Sequence, residues 1–317
     1  MNVLSLFDGM SCGHIALDRN GINVNKYYAS EIDKYAVEVT KDNYPNTIHL
    51  GDVRDINASD LEKIDLLIGG SPCTDLSFAG KRRGLIADNL DNYLKLKSEG
   101  FEFEGQSFLF WEYLRLLKEI REINPDVKFL LENVRMTEQW EDLITLMLGV
   151  SPIRINSAKV SAQNRVRYYW TNIKGVTQPE DKGIVVSDIL EDGSKKMGGV
   201  RGRYLVNGKR AESSVDSTAG MTIQRLEVRS DEKANCITTV KKDSVVVLDE
   251  SKELYRYMTP LEYERLQTVP DNYSSCVSDN QRKRMLGNGW TVDVIAHIFS
   301  FINKPYEESI NDFFGFE

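Results

Sequence analysis

The stretch that decides the fold is Ile64-Asp65-Leu66-Leu67-Ile68-Gly69-Gly70-Ser71-Pro72-Cys73. A short apolar run closed by glycine and proline predicts a buried strand that ends in a turn. In open α/β sheets, ligands and reacting groups collect just beyond the carboxyl ends of the strands. Cys73 is therefore a candidate nucleophile, although a single unpaired cysteine is more often an inert buried side chain. The rest of the chain has to decide between these two interpretations.

Short apolar runs alternate with amphipathic helical patterns through the first half of the chain. This alternation is typical of βαβ units, in which a mostly parallel sheet carries helices on both faces. The predicted strands lie at 2–7, 25–30, 47–50, 64–68, 127–131, 153–157 and 167–171. The predicted helices lie at 12–20, 33–43, 107–123 and 138–148. The sequence therefore predicts a Rossmann-like α/β fold with a seven-stranded, mostly parallel sheet.

The pattern changes at about residue 175, where short β-rich pieces are mixed with glycine, serine and charged residues. These pieces are Gly198–Tyr204, Ile237–Val240 and Val245–Val247. Helical patterns return at 260–267, 279–286 and 291–303. We expect a smaller, irregular β-rich unit over 175–250, inserted into a larger one formed by 1–174 and 251–317. The weakly periodic stretch 74–105 is typical of a functional loop or a surface insertion, with a helix predicted only at Asn89–Lys97.

The composition is that of a globular chain, with 317 residues, 41% hydrophobic residues and a net charge of −8. No apolar run approaches the roughly 20 residues that a membrane helix needs, and Met1–Phe7 has no basic segment or cleavage site. We therefore expect no secretion, no membrane association and a cytoplasmic location. Four cysteines without a CxxC pair and three histidines without ligand spacing predict neither a disulfide framework nor a metal site.

A candidate nucleoside site follows the first two predicted strands. Phe7-Asp8-Gly9 and Gly13 come after the first strand, and Glu31 comes after the second. Glycines let a ligand approach the backbone, and a carboxylate about 20 residues later can accept hydrogen bonds from ribose hydroxyls. The GxGxxG spacing of dinucleotide sites is absent, which favours an S-adenosyl cofactor over NAD. Asp52, after the third strand, could bind an adenine amino group or could cap a turn.

Charged side chains also stand beside the later strands. Glu132 follows the fifth strand, at the edge of the sheet where Cys73 is expected. A carboxyl group in a partly apolar setting can act as an acid or a hydrogen-bond donor, or it can simply cap a loop. Arg165 and Arg167 are two residues apart and share one face if the chain is extended there. That face suits a carbonyl or a phosphate; the alternative is an exposed edge strand.

Together these motifs resemble those of the C5-cytosine methyltransferase family across nearly the whole chain, in that family's order. They are Phe7-Asp8-Gly9 with Gly13, Pro72-Cys73, Glu132-Asn133-Val134, Gln163-x-Arg165-x-Arg167, a motif from Arg256 to Pro270, and Gly287-Asn288-Gly289-Trp290-Thr291-Val292. The glycine turn departs from the commoner Phe-x-Gly-x-Gly form at Ser11-Cys12. The same chemistry on RNA such as tRNA, and a catalytically inactive nucleic-acid-binding relative, are the alternatives. An adenine methyltransferase is disfavoured, because Pro72-Cys73 stands where its Pro-Pro-aromatic motif is expected.

The resemblance implies a DNA cytosine-5 methyltransferase that uses S-adenosyl-L-methionine. Cytosine C5 is a weak nucleophile, so Cys73 is implied to attack C6 before C5 accepts the methyl group. Glu132 is implied to hold N3 and the amino edge of the base, and Arg165, with Arg167 beside it, to contact the carbonyl oxygen. The implied cofactor residues are Phe7, Gly9, Gly13, Glu31, Ile32, Asp52, Val53, Leu109, Asn288 and Trp290.

The resemblance also makes double-stranded DNA the substrate, with 175–250 as the target-recognition domain and 1–174 with 251–317 as the catalytic domain. The target base must flip out of the duplex, and 74–105 is the expected lid. The middle of the chain, 151–270, is its only net basic part, which agrees with DNA contacts there. The expected DNA-binding residues are Ser77, Arg82, Arg83, Gln163, Arg201, Arg203, Arg225 and Arg229. We expect a monomer of bacterial or phage type, with a cognate restriction endonuclease as a candidate partner in the host.

Overall fold

A computed structural model describes residues 1–72, 87–103, 105–203, 205–206, 209–210 and 223–305, with the backbone alone at 203, 205–206, 209–210 and 223. The strands of its larger sheet are β1 (Asn2–Leu6), β2 (Lys26–Ser30), β3 (Ile48–His49), β4 (Leu66–Gly69), β5 (Lys128–Asn133), β6 (Ile153–Asn156) and β7 (Val166–Thr171). Their order across the sheet is β3-β2-β1-β4-β5-β7-β6. The seven predicted strands are confirmed, with small shifts at their ends.

Most neighbouring strands in this sheet run parallel, as expected. The pairs β2–β3, β1–β2, β1–β4 and β4–β5 are parallel. Strand β7 is the exception, since it is antiparallel to both β5 and β6. The carboxyl ends of β1, β2, β4 and β5 therefore meet at one edge, together with the amino end of β7. This is the edge at which open α/β sheets place their ligands.

Helices cover both faces of the sheet. In the described part of the chain they are α1 (Cys12–Arg19), α2 (Lys34–Asn43), α3 (Leu90–Ser98), α4 (Leu109–Ile123), α5 (Glu138–Leu148), α6 (Pro260–Leu266), α7 (Asp279–Asn288) and α8 (Val292–Phe299). Successive side chains of a strand point to opposite faces. Val3 accordingly packs with α1, α2 and α8, and Leu4 packs with α4 and α5. None of these helices is long and apolar enough to cross a membrane.

A smaller antiparallel sheet has the order β11-β8-β12-β13. Its strands are β8 (Met197–Arg203), β11 (Ile223–Val228), β12 (Val245–Asp249) and β13 (Leu254–Tyr257), and a separate pair is formed by β9 (Leu205–Val206) and β10 (Lys209–Arg210). The expected β piece at Ile237–Val240 is wrong, because Ile237 bonds to side chains of the larger unit instead of to a strand. Strand β13 pairs with β12, so this sheet continues to Tyr257, beyond the boundary expected at residue 250.

Local capping sets where the chain returns to the large sheet. Thr259 accepts a hydrogen bond from the Glu262 backbone N–H, and the Glu262 carboxylate accepts one from the Thr259 N–H. Pro260 occupies the first turn of α6, where no N–H partner is needed. This capping box starts α6 directly after the smaller sheet. Helix α8 then packs against α1, so the C-terminal helices fold back beside β1 as expected.

Candidate active site

A cavity of about 370 Å³ lies at the carboxyl edge of the large sheet. Its walls come from the segments that follow β1, β2, β4 and β5, from the start of β7, and from the turn between α7 and α8. It brings together these expected site residues: Phe7, Gly9, Glu31, Glu132, Arg165, Arg167, Asn288 and Trp290. Pro72 also lines the cavity, whereas Cys73, the next residue, lies outside the described residues.

The segment after β1 is a tight turn with unusual backbone angles. Phe7, Gly9 and Ser11 have φ values of 56°, 59° and 59°, in the left-handed region that residues with a Cβ rarely adopt. A Cβ on Gly13 would lie 2.3 Å from Ile68 Cδ1, so this position accepts only glycine without a shift of its neighbours. The turn thus lets main-chain atoms at Gly9 approach the cavity, with Phe7 and Met10 beside them.

Asp8 is a cavity residue that the sequence analysis did not select as a site residue. Its carboxylate accepts hydrogen bonds from the Tyr27 hydroxyl at 2.8 Å and the Ser11 hydroxyl at 2.6 Å. Burial raises the pKa of Asp8 to about 6. The signal available in the sequence was an acidic side chain inside a glycine turn at a strand end. An ionised carboxylate at this place favours a ligand that carries positive charge.

Glu31 is held firmly at the second wall of the cavity. Its Oε2 accepts the Gly9 N–H at 2.8 Å, and its Oε1 accepts the N–H groups of Ile32 and Asp33 at 2.8 and 2.7 Å. The side chain therefore joins the ends of β1 and β2 and keeps its remaining lone pairs for a ligand. Ile32 does not line the cavity, but its large apolar side chain is 74% exposed beside it.

Four of the expected cofactor residues besides Ile32 do not line the cavity. Asp52 caps the turn that follows it and pairs with Arg54 at 2.5 Å, which lowers the pKa of its carboxyl group. Val53 is buried, and Leu109 packs against the same cluster of side chains. Gly13 lies in the first turn of α1, where it makes room for Ile68. For Asp52, the turn-capping interpretation describes what its side chain does here.

Two side chains contact the carboxylate of Glu132. Arg167 Nε lies 3.1 Å from Glu132 Oε1, and the indole N–H of Trp290 donates to Glu132 Oε2 at 3.1 Å. Glu132 is only 9% exposed. Its carboxylate lies beside Gly70, and both residues line the cavity. Because each oxygen keeps a free lone pair, the group can still accept from or, when protonated, donate to a planar heterocycle.

The two arginines have different surroundings. Arg165 is 4% exposed, and its guanidinium donates to the main-chain carbonyls of Ile237 at 3.1 Å, Gly287 at 3.4 Å and Gly289 at 2.8 Å. Burial lowers the pKa of Arg165. Arg167 instead faces Glu132. Arg165 also lines the cavity while its Nη1 and Nη2 bind main-chain carbonyls, and its contact with a substrate carbonyl stays a prediction.

The structure places Gln163, which was expected to bind DNA, in the interior of the protein. The residue is fully buried. Its amide donates to Leu266 O at 2.7 Å and to Gln267 Oε1 at 2.8 Å, and its oxygen accepts the Ile237 N–H at 3.3 Å. It therefore ties the strand before β7 to α6 and to the smaller unit.

Asn133, in the Glu132-Asn133-Val134 motif, connects the ends of two neighbouring strands. Its side-chain amide is buried and donates to Ser71 O at 3.3 Å and to Ser71 Oγ at 3.2 Å. Ser71 directly precedes Pro72, so Asn133 fixes the end of β4 to the end of β5. This contact could have been predicted from the sequence, because β4 and β5 were both expected to be parallel strands followed by polar residues.

The remaining DNA-binding expectations fall on the smaller sheet or outside the described residues. Ser77, Arg82 and Arg83 lie outside them, and so does the side chain of Arg203. Arg201 and Arg225 stand directly opposite each other on β8 and β11 and so share one face. Arg225 pairs with Glu253 at 3.1 Å, while Arg229 binds Asp231 and Asn235. Two like charges opposite each other in a sheet favour an anionic partner.

Within the described ranges, no group of three or more histidine, cysteine, aspartate or glutamate side chains could hold a metal ion. Cys12 is buried, Cys236 is half-buried and Cys276 is exposed, and all three are free thiols. Cys12 lines the cavity, and Cys236 Sγ accepts from Arg165 Nη1 at 3.3 Å.

Sheet order and site together define an α/β enzyme fold with a ligand cavity at the carboxyl ends of its parallel strands. The family model described as C-5 cytosine-specific DNA methylase matches residues 1–142 and 155–304. The chain belongs to this family, and the resemblance found in the sequence is confirmed. Its family is one of DNA cytosine methyltransferases.

Individual relatives agree with this assignment. The type II methyltransferase M1.ScrFI of Lactococcus lactis subsp. cremoris is 25% identical over 338 residues, which cover 97% of this chain and 79% of the relative. M.NlaX of Neisseria lactamica is 26% identical, covering 93% of this chain and 94% of the relative. The orphan methyltransferase M.SPRI of Bacillus phage SPR is 34% identical over 137 residues, covering 43% of this chain and 26% of the relative.

Solved structures show the same fold. The S. pombe Dnmt2 methyltransferase has a TM-score of 0.64 at 18% identity, with 95% of this chain and 98% of that one covered. A putative DNA modification methyltransferase from an E. coli prophage has a TM-score of 0.58 at 19% identity, with 96% and 100% covered. At these identities the similarity concerns the fold alone.

Proposed function

We propose that the protein transfers a methyl group from S-adenosyl-L-methionine to C5 of a cytosine flipped out of duplex DNA. The observation that carries the proposal is the shared cavity, in which the glycine turn after β1 and the Glu132–Arg167 pair open onto the same space beside Pro72. Family membership supports the same reaction.

The residues around the turn suit this cofactor. S-adenosyl-L-methionine carries a sulfonium and an ammonium group, and when bound it supplies an electrophilic methyl group. The carboxylates of Asp8, Glu31 and Asp33 line the cavity, so negative charge lies where a cation would bind. The bare backbone at Gly9 leaves room for the adenosyl part. Asn288 and Trp290 supply the opposite wall.

The chemistry assigned to the base pocket needs a nucleophile and two partners. The Cys73 thiolate attacks C6, the C5–C6 electron pair becomes available at C5, and C5 takes the methyl group. Loss of the C5 proton to a base then re-forms the double bond as the C6–sulfur bond breaks. Glu132 holds N3 and the amino group and can offset charge on the ring. We assign the contact with the base carbonyl to Arg167 instead of Arg165, because Arg167 is the arginine that pairs with Glu132.

The base reaches this cavity only after leaving the duplex, at a cost of a few kcal/mol. We propose that the smaller sheet, with the arginine face of Arg201 and Arg225, contacts the DNA and contributes to target choice. Relatives named type II methyltransferases support a place in restriction and modification. A cognate endonuclease and a monomeric state stay predictions.

Incubation with tritiated cofactor tests the substrate. Duplex DNA and tRNA are offered separately, and label is expected in DNA and at C5 of cytosine after hydrolysis. Label in tRNA alone would contradict the proposal and select the RNA alternative. Bisulfite sequencing of DNA from an expressing host then identifies the target sequence.

A further inference from the structure

We propose that Trp290 is a positioning residue whose indole N–H holds the Glu132 carboxylate in the orientation that receives the target base. The inference rests on the proposed function, because it assigns part of that reaction to a side chain expected only to line the cofactor site.

The carboxylate of Glu132 has one hydrogen-bond donor on Oε2 and an ion-pair partner at Oε1. Trp290 Nε1 donates to Oε2 at 3.1 Å, and Arg167 Nε lies 3.1 Å from Oε1. A glutamate side chain would otherwise sample several rotamers about its flexible bonds. The directional hydrogen bond from Trp290 orients Oε2 while Arg167 holds Oε1 by charge, and the carboxylate keeps lone pairs for the base.

The neighbouring strand end makes room for this contact. A Cβ on Gly70 would lie 2.9 Å from Trp290 Nε1 and 3.0 Å from Glu132 Oε2, so a larger residue would stand between donor and acceptor. On the other side, a Cβ on Gly13 would lie 3.6 Å from Trp290 Cζ3. The ring therefore lies between the first turn of α1 and the turn after β4, and it reaches Glu132 on β5.

The backbone before Trp290 is fixed by buried donors. Arg165 Nη2 donates to Gly289 O at 2.8 Å, and Gln267 Nε2 donates to the same oxygen at 3.0 Å. Both side chains are buried. Arg165 thus acts on Glu132 through the backbone before Trp290, with Nη1 and Nη2 bound to main-chain carbonyls. A phenyl ring could make the same apolar contacts, whereas the indole ring of Trp290 also donates a hydrogen bond through its N–H.

The contact is tested first without DNA or cofactor. The protein contains four tryptophans, and their ¹⁵N-labelled indole N–H signals are resolved by NMR. Trp290→Phe identifies the Trp290 signal. Glu132→Ala is expected to shift that signal and to accelerate its exchange with solvent while the other three stay in place. A Trp290 signal whose chemical shift and exchange rate are unchanged in Glu132→Ala would overturn the inference.

Kinetics then test the role. Trp290→Phe is expected to slow single-turnover methylation of duplex DNA by about ten- to a hundredfold, the size of one lost hydrogen bond to a charged group. Its affinity for S-adenosyl-L-homocysteine, measured by calorimetry, should stay close to wild type because the ring is kept. Trp140→Phe, the same change outside this cavity, should leave the rate unchanged.

A double-mutant cycle shows whether Trp290 acts through Glu132. Glu132→Gln combined with Trp290→Phe should be no slower than Glu132→Gln alone. A wild-type rate for Trp290→Phe, or losses that multiply in the double variant, would overturn the inference. A wild-type protein that methylates no DNA overturns the proposed function, whereas the indole signal still decides the contact.

Discussion

Glu132 and Arg167 lie on one face of two antiparallel strands, with Arg167 Nε 3.1 Å from Glu132 Oε1. In the register of β5 and β7, Glu132 is directly opposite Tyr169, and Arg167 takes the diagonal position two residues away. Because β7 runs against β5, its first residues stand at the edge where β5 ends. A parallel strand would have carried Arg167 to the opposite edge of the sheet.

Substitutions of Arg165 and of Arg167 should have different effects on stability and on methylation. Arg167→Met is expected to lower methylation by the folded enzyme by about 10²–10³-fold through loss of a donor at the reacting base. Arg165→Met should lower the free energy of unfolding by about 2–4 kcal/mol, because the buried carbonyls of Ile237 and Gly287 lose this donor and Gly289 keeps only the one from Gln267. Urea unfolding and single-turnover assays separate the two effects. Wild-type stability in Arg165→Met would contradict the structural role.

The arginine face of the smaller sheet should contribute to DNA affinity through charge. Arg201→Ala and Arg225→Ala are each expected to weaken binding and to reduce the slope of log K against log salt by about 1, as for one lost phosphate contact. The measurement is fluorescence anisotropy over a salt series. Lys26→Ala removes one charge at the opposite edge of the large sheet, where it pairs with Glu62, and should change neither quantity. Unchanged slopes in both arginine variants would remove this face from the DNA interface.

Asp8 should make stability depend on pH. Burial raises its pKa from 3.8 to about 6, so the folded chain binds this proton more tightly than the unfolded chain. The free energy of unfolding should therefore fall as pH rises from 3.8 to about 6, by on the order of 2–3 kcal/mol. Asp8→Asn should remove this dependence and be more stable than wild type above that range, as measured by denaturant unfolding across pH. An equal pH dependence in both proteins would show that another group is responsible.

The same carboxylate should couple cofactor binding to pH. Calorimetry is expected to show tighter binding of the cationic S-adenosyl-L-methionine as pH rises through about 6, the pKa of Asp8, and a flat profile for Asp8→Asn. Adenosine lacks both cationic groups, so its affinity should not follow this titration. A pH-dependent profile that survives in Asp8→Asn would assign the effect to another residue.

Covalent trapping should identify the nucleophile. A duplex with 5-fluorocytosine at the target cannot lose a C5 proton, so the thiol adduct persists and migrates slowly in a denaturing gel. Cys73→Ala is expected to abolish this band. Cys236→Ala is the matched control, since its thiol contacts Arg165, a residue that lines the cavity, and it should keep the band. Loss of the band only in Cys236→Ala would move the attack to that thiol.

The sheet could be predicted because its signal is local. Buried parallel strands require short apolar runs, and Leu66–Gly69 shows one with a turn directly after it. Helix α3 likewise follows the predicted Asn89–Lys97 pattern, with Asn89 as its cap. The motifs at the strand ends were readable for the same reason, since a strand end and its turn are adjacent in the chain.

The smaller unit could be predicted less well. Ile237–Val240 has the residues of a strand, but its backbone bonds to Gln163 and Arg165, which lie about 70 positions earlier. In this segment, hydrogen bonds to side chains that are distant in the sequence take the place of pairing with a strand. No local sequence pattern contains those side chains.

The sequence by itself determined the seven strands, the edge at which the site lies and the family to which the chain belongs. These depend on apolar periodicity and on motifs that are each continuous in the chain. Only the tertiary structure decided which polar side chains face the cavity. Arg165 turns to the carbonyls of the Gly287–Gly289 turn, Gln163 is buried against α6, and Trp290 reaches Glu132 from 158 positions away. A side chain's partner is set by which elements pack together, and the chain order alone does not state that.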